Sequence, residues 1–312
     1  FNHEVSKYFF IAKILLTNLE KKNNMKRNYF KVPENLNLKE IPTKYNTGLD
    51  PIALKKEIKK YSKKIAELQD MMYADDRYSV LICFQGMDTA GKDSMVREVF
   101  KGFNPRGVVV ESFKTPSYKE LQHDFMWRHY TKLPEKGKFT IFNRTQYENV
   151  LITRVHPEYL ENERNPDIDI NNLTDDFWNN RMQRMVQFEK FWAENGVIIL
   201  KFYLHLSKDE QKNRLLKRID KPKHQWKFSP GDLTERGFWE KYQFCYEEVL
   251  KNSSHKKGEW FIIPSDDKDV SRLIVAKIIY DTLKKYKDIS YPNPEPEVLE
   301  HISKYKEQLL ND

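Results

Sequence analysis

Two cysteines in 312 residues, Cys83 and Cys245, are too few and too far apart to make a zinc site or a disulfide framework. Both are expected to be buried small hydrophobes. A long apolar run is missing as well. Tyr8–Leu19 comes nearest, but Lys13 interrupts it, it is too short to span a bilayer, and no small-residue cleavage site follows. Neither secretion nor membrane insertion is expected, so the cytoplasm is the expected location. His123, His129 and His156 have no ligand spacing and are read as structural or rim residues. No internal repeat or low-complexity tract is visible. Acid is in deficit, with 46 Asp and Glu against 54 Lys and Arg, a net charge of +8 that favours anionic partners. The sign alone does not choose among nucleic acid, headgroups, nucleotides and polyphosphate. With 39% hydrophobic residues the chain is nevertheless rich enough to bury a substantial core.

Local motifs are more selective. The apolar run Leu81-Ile82-Cys83-Phe84-Gln85 ends in Gly86-Met87-Asp88-Thr89-Ala90-Gly91-Lys92, whose Gly-x4-Gly-Lys spacing is that of a P-loop. Glycines there let backbone N–H groups point inward at phosphate oxygens, and the lysine neutralises them. Val96, Val99, Phe100 and Phe103 recur at helical spacing, which sets Lys92 at the positive end of a helix dipole. An ordinary P-loop continues with Ser or Thr for magnesium; here Asp93 follows and the hydroxyl is displaced to Ser94. Asp88, a carboxylate beside phosphates, would be repelled without a divalent cation between them. It is therefore read as a magnesium ligand.

After the strand expected at 138–142, Asn143 stands where many NTPases place a metal-binding aspartate. Glu148, about a turn and a half further along a helix, returns a carboxylate and is the second metal candidate. Arg144 offers a planar fork for phosphate oxygens. The competing reading is an exposed i,i+4 ion pair between Arg144 and Glu148. Lys101, Arg106, Lys114, Lys119, Arg128 and Lys132 gather around the segment 101–132, either as solvated charge or as a polyanion track, for which Lys114, Arg128, Lys101 and Arg106 are the candidates.

Leu54, Ile58, Tyr61, Ile65, Leu68 and Met72 advance by fours and threes, which predicts an amphipathic helix over 51–73. Apolar runs at 78–85, 108–113, 139–142, 197–206 and 260–263 are separated by crossover-length segments. Alternation of this kind predicts a three-layer α/β fold around a parallel sheet of about five strands. Residues 208–236 form a basic stretch punctuated by Pro222, Pro230 and Gly231. Three regions are expected: an N-terminal extension over 1–50, of which 1–24 lies upstream of Met25 and is set aside; a main domain over 51–290; and a tail with a polar helix over 291–312.

Several further stretches carry a resemblance. Gln85-Gly86-Met87-Asp88-Thr89-Ala90-Gly91-Lys92-Asp93, Ser112-Phe113-Lys114-Thr115-Pro116, Ile141-Phe142-Asn143-Arg144, Val155-His156-Pro157, Arg218-Ile219-Asp220-Lys221-Pro222, Gln225-Trp226-Lys227-Phe228-Ser229 and Pro264-Ser265-Asp266-Asp267-Lys268 resemble, in order and spacing from about Pro51 to Lys285, the family-2 polyphosphate kinases. The resemblance implies a P-loop kinase fold similar to thymidylate kinase with a basic helical lid, here 208–236. It also implies reversible phosphoryl transfer between inorganic polyphosphate and nucleotides (AMP to ADP, ADP to ATP), with Mg2+ or Mn2+. Matched by position, Asp88 takes the metal, Gly86 to Lys92 cradle phosphate, and Arg144 and Arg218 contact phosphates, the latter from the lid. Asn143 and Glu148 resemble the subgroup that accepts both AMP and ADP; the ADP-specific subgroup has Asp and Asn there. Ser94 departs from the usual glycine. Assembly as a homo-oligomer, dimer or tetramer, is expected, with neither nucleic acid nor membrane as a partner. The rival readings are an ATP-dependent nucleoside or nucleoside-monophosphate kinase and a non-catalytic polyanion-binding protein.

Overall fold

The computed structural model describes residues 25–312. Tyr8–Leu19 and the expectation for residues 1–24 lie outside the described residues. In chain order the elements are α1 (Pro51–Asp75), β1 (Ser79–Gln85), α2 (Lys92–Val99), β2 (Val108–Ser112), β3 (Phe139–Asn143), α3 (Glu148–Val155), α4 (Asp175–Glu194), β4 (Val197–His205), α5 (Lys208–Asp220), α6 (Gly231–Gly237), α7 (Trp239–Ser253), β5 (Trp260–Pro264), α8 (Lys268–Leu283) and α9 (Pro296–Asn311).

The strands form one parallel sheet in the order β2-β3-β1-β4-β5. β1 is central because it has no polar face: all seven of its residues are buried. Val80, Ile82 and Phe84 point into a core shared with α1, α2 and α8, where Phe84 stacks on Phe202 with ring centroids 5.4 Å apart. Leu81 and Cys83 point into a second core with α3, α4 and α7, lined by Met182, Trp192 and Trp260. The period-two alternation of strand side chains thus produces helices on both faces, as the apolar runs predicted.

Helix α1 begins where Asp50 accepts hydrogen bonds from the N–H groups of Ile52 and Ala53, with Pro51 at the first helical position. Its buried Leu54, Ile65 and Met72 lie on the face turned to the sheet. The segment before it does not stand apart from the domain. Phe30, Leu36 and Leu38 are buried in the two cores, Lys31 bridges Phe261, and the Val32 N–H donates to the Trp260 carbonyl. This covers part of the edge of β5, which would otherwise expose unpaired backbone groups. Helix α9, by contrast, has no buried residue.

From β1 the chain crosses to β2 and returns through β3 on one side, then continues to β4 and β5 on the other. The crossovers therefore diverge at the carboxyl end of β1, and a crevice opens there. Among the described residues no helix is long and apolar enough to cross a membrane.

Ile65→Ala, at a fully buried position, is expected to cost about 2–5 kcal/mol of stability. Ile52→Ala on the same helix, where the side chain is 83% exposed, should change stability by less than about 0.5 kcal/mol. Chemical denaturation of the two variants compares them directly, and similar losses would contradict the assigned helix face.

Candidate active site

The loop after β1 is shaped by what surrounds Gly86. Its φ is +152°, and a Cβ there would meet the Leu204 carbonyl oxygen at 2.9 Å and the Ala90 Cβ at 3.1 Å. Only glycine lets β1 turn this close to β4. Thr89 has φ +64°, a conformation that a β-branched residue adopts only when its surroundings hold it, at about 1–3 kcal/mol. Arg214 on α5 supplies much of that hold. Its five N–H groups find five acceptors: the carbonyls of Thr89 and Ala90 at 2.9 and 3.0 Å, those of Ser265 and Asp266 at 2.6 and 3.0 Å, and the Glu210 carboxylate at 2.8 Å. One guanidinium therefore ties the loop, the start of the lid and the end of β5 together.

Gly91 precedes α2 with φ +107°, and Lys92 opens the helix. The Lys92 ammonium donates to the carbonyls of Gly86 at 2.6 Å and Met87 at 3.3 Å. Burial, followed by the neighbouring Arg144, lowers its pKa. An added anion would relieve both effects. The displaced hydroxyl of Ser94 donates to the Gly91 carbonyl at 2.9 Å, so it braces the helix start rather than facing a phosphate.

Across from the loop, Arg144 also has a left-handed backbone, φ +67°, at the end of β3. Its guanidinium lies between two carboxylates, 3.5 Å from Asp88 and 3.7 Å from Glu148. The i,i+4 pair expected as the competing reading is thus present, but it lines the same cleft as Gly86, Met87, Asp88 and Lys92. Asn143 donates to the Asp93 carboxylate at 2.7 Å. The opposite wall carries Ile152, His156, Tyr159, Tyr242 and Tyr246, and the lid contributes Asp232, Glu235 and Arg236. Burial, and for Tyr242 also Glu235, raises the pKa of both Tyr242 and Tyr246, so the phenols keep their protons.

No group of three or more metal-ligating side chains occurs among the described residues. Asp88 and Glu148 still suit magnesium, which is commonly held by one or two carboxylates while substrate phosphates and water complete its shell. A preformed all-protein cage is not required for that mode.

The structure sorts the remaining expectations. Lys114 is exposed just past the carboxyl end of β2, on the cleft side of the sheet. Lys101 follows the far end of α2 and Arg106 precedes β2, so both lie toward the amino ends of the strands, away from the loop. Arg128 is likewise corrected: it is buried, donates to the Lys114 carbonyl at 2.9 Å, faces Glu120 at 3.3 Å and stacks over Phe113. Arg218 points within the lid, to Asp232 at 3.0 Å. His129 is buried and neutral, its pKa pushed down to about 3 by burial and by Arg128. His156 is a rim residue, 3.1 Å from Glu235. Sequence reasoning read 208–236 only as a basic stretch, so Arg214 was not singled out, and it passed over Tyr242 and Tyr246, whose i,i+4 spacing was the available signal.

Comparison with known proteins identifies relatives of the chain. The profile of the family described as Polyphosphate kinase 2 matches residues 49–291. The chain is 43% identical over 272 residues to an ADP-polyphosphate phosphotransferase of Rhodopseudomonas palustris, covering 86% of this chain and 93% of that protein. It is 38% identical over 234 residues to an AMP/ADP-polyphosphate phosphotransferase of Meiothermus ruber, covering 75% and 82%. The crystal structure of polyphosphate kinase 2 from Arthrobacter aurescens TC1 superposes with a TM-score of 0.80 at 30% identity, covering 89% of this chain and 95% of that one.

Assayed in the reaction for which those relatives are named, Lys92→Ala and Asp88→Asn should each fold and lose roughly a hundredfold or more in turnover. Near-normal turnover of either variant at saturating magnesium and substrate would remove that residue from the site.

Proposed function

The chain belongs to the polyphosphate kinase 2 family, and on that premise we propose that it moves a phosphoryl group reversibly between inorganic polyphosphate and adenine nucleotides, AMP to ADP and ADP to ATP. The observation that carries this reading is the meeting, in one cleft, of a phosphate-cradling loop, the cations Lys92 and Arg144, and the carboxylates Asp88 and Glu148. Phosphoryl transfer has a loose transition state, so positioning and charge neutralisation suffice and no covalent enzyme intermediate is needed. Lys92 exchanges the Gly86 carbonyl for a phosphate oxygen, and Arg144 binds a second oxygen through its fork. Asp88 and Glu148 would hold Mg2+, or Mn2+ in its place, which would supply positive charge to offset that of the phosphates. Closure of the lid excludes water, the competing acceptor.

The donor side is supported by unneutralised lysines. Lys217, Lys221, Lys223 and Lys227 of the lid are exposed. Burial first, and then the nearby cations Arg214, Arg272 and Lys217, lower the pKa of Lys268. Lys114 extends this charge along the cleft edge, and Arg218 joins it when the polymer displaces Asp232. A polymer with a charge on each phosphate fits such a row; an ATP donor would need a single compact pocket instead.

Acceptance of both AMP and ADP rests on Asn143 and Glu148. AMP ends one phosphate earlier, so its α-phosphate must be held at the transfer point, and the Glu148 side of the cleft is where this occurs. We place the reaction in the cytoplasm, consistent with two free, buried cysteines. We also propose a homo-oligomer, dimer or tetramer, supported by the uncovered Leu299, Ile302 and Leu309 of α9.

Three assays test these readings. Turnover with AMP or ADP should occur with polyphosphate as sole donor; turnover with ATP but not polyphosphate would favour the nucleoside-monophosphate kinase reading. Replacing Lys221, Lys223 and Lys227 together by Ala should weaken apparent affinity for long polyphosphate more than for short and flatten its salt dependence; equal losses at all lengths would exclude them from the track. Glu148→Asn should lower kcat/KM for AMP more than for ADP, and an unchanged ratio would sink that assignment.

A further inference from the structure

The residues between Arg144 and Glu148 are buried and polar, which is unusual for a turn at the rim of a cleft. Thr145, Gln146 and Tyr147 have no exposed surface. The Thr145 hydroxyl accepts from Gln85 and from the Tyr147 N–H, both at 3.1 Å. Gln146 and Tyr147 reach through the second core to one oxygen of Glu189 on α4, each at 2.8 Å. The other carboxylate oxygen of Glu189 receives Lys201 of β4 at 2.6 Å and His255 at 2.8 Å. Lys201 also donates to the Tyr147 hydroxyl at 3.1 Å and to the Ser253 carbonyl at 2.8 Å. Glu189 and Lys201 are both fully buried.

Burial opposes the charge on Glu189, but Lys201 and His255 overcome it and hold the carboxyl below its usual range. An ion pair this deep is a poor source of stability, because desolvation offsets most of its attraction. Its value lies in what it holds. Arg144 carries a strained left-handed backbone and Glu148 begins a helix whose preceding residue provides no side-chain cap. Local preference therefore does not fix this turn, whereas two side chains anchored on one carboxylate do.

We infer that Glu189 is a positioning residue, which sets Arg144 and Glu148 at their places in the cleft by fastening Gln146 and Tyr147 between them. The inference rests on the phosphotransferase reading for its kinetic effect and on geometry alone for its conformational one.

Two variants test it. Glu189→Gln keeps the shape but leaves Lys201 without its counter-charge and is replaced, where it does not fold, by Tyr147→Phe, which removes one hydroxyl and leaves the ion pair. In either variant kcat per folded enzyme should fall roughly tenfold to a hundredfold, with nucleotide affinity measured by calorimetry little changed. In an Arg144→Lys background the same change should cause a smaller fold-loss, since it acts through Arg144. Amide hydrogen exchange over 144–148 should quicken while β1 stays protected. A lowered melting temperature with normal kcat, equal fold-losses in both backgrounds, or unchanged exchange over 144–148 would each overturn the inference. Absence of polyphosphate-driven turnover in the unmodified protein would instead overturn the phosphotransferase reading, and the exchange measurement would still decide this one.

Discussion

The cleft depends on how closely the end of β1 approaches the end of β4. With Gly86 set against the Leu204 carbonyl, the chain turns at once and the loop folds back toward α2. Any side chain at 86 would push the loop outward and carry Thr89, Gly91 and Lys92 with it. Arg214 secures the arrangement from outside by satisfying carbonyls that the tight loop leaves without helical or strand partners. The close approach and the clamp belong together, because the clamp occupies the Thr89 and Ala90 carbonyls of the loop that the close approach turns back.

Much of this was legible in the sequence, for reasons that can be named. The five apolar runs marked the five strands: β1, β3, β4 and β5 are buried on both faces and so show continuous hydrophobicity, while edge strand β2, with Val109 and Val110 exposed, was marked by its β-branched run. The loop was legible because its glycines and lysine serve backbone geometry and charge at fixed spacing. The charged surface was less legible. Lys101, Arg106 and Arg128 are close to Lys114 in sequence, yet strand β2 separates two of them from it by its whole length, and Arg128 turns inward to Glu120. Sequence proximity does not encode which end of a strand a residue occupies. Arg214 was hidden for another reason: its partners are backbone carbonyls, which leave no mark on residue type.

The lid is held by pairs that a ligand can replace, some within it and some reaching the body. Asp232 holds Arg218, Glu235 holds His156 and Tyr242, and Gln211 receives Arg236 while donating to the Asp88 carbonyl. These are hydrogen bonds between polar groups at a cleft, each of modest net value. A polyanion entering among them competes with Asp232 for Arg218 and gives the lid a reason to rearrange. The deep Glu189–Lys201 pair has no such competitor and stays fixed, so the mobile and immobile polar networks of the site are separated by burial.

The hydrogen bond from Asn143 to Asp93 joins the end of β3 to the first turn of α2. An aspartate at 143 would confront the Asp93 carboxylate across that 2.7 Å gap, and the two could coexist only by sharing a proton or a cation. Positions 93 and 143 are consequently not independent letters of the sequence. Substitutions there are epistatic, and a route that exchanges the residue at 143 runs through a change in the partner, the local proton count or the metal inventory.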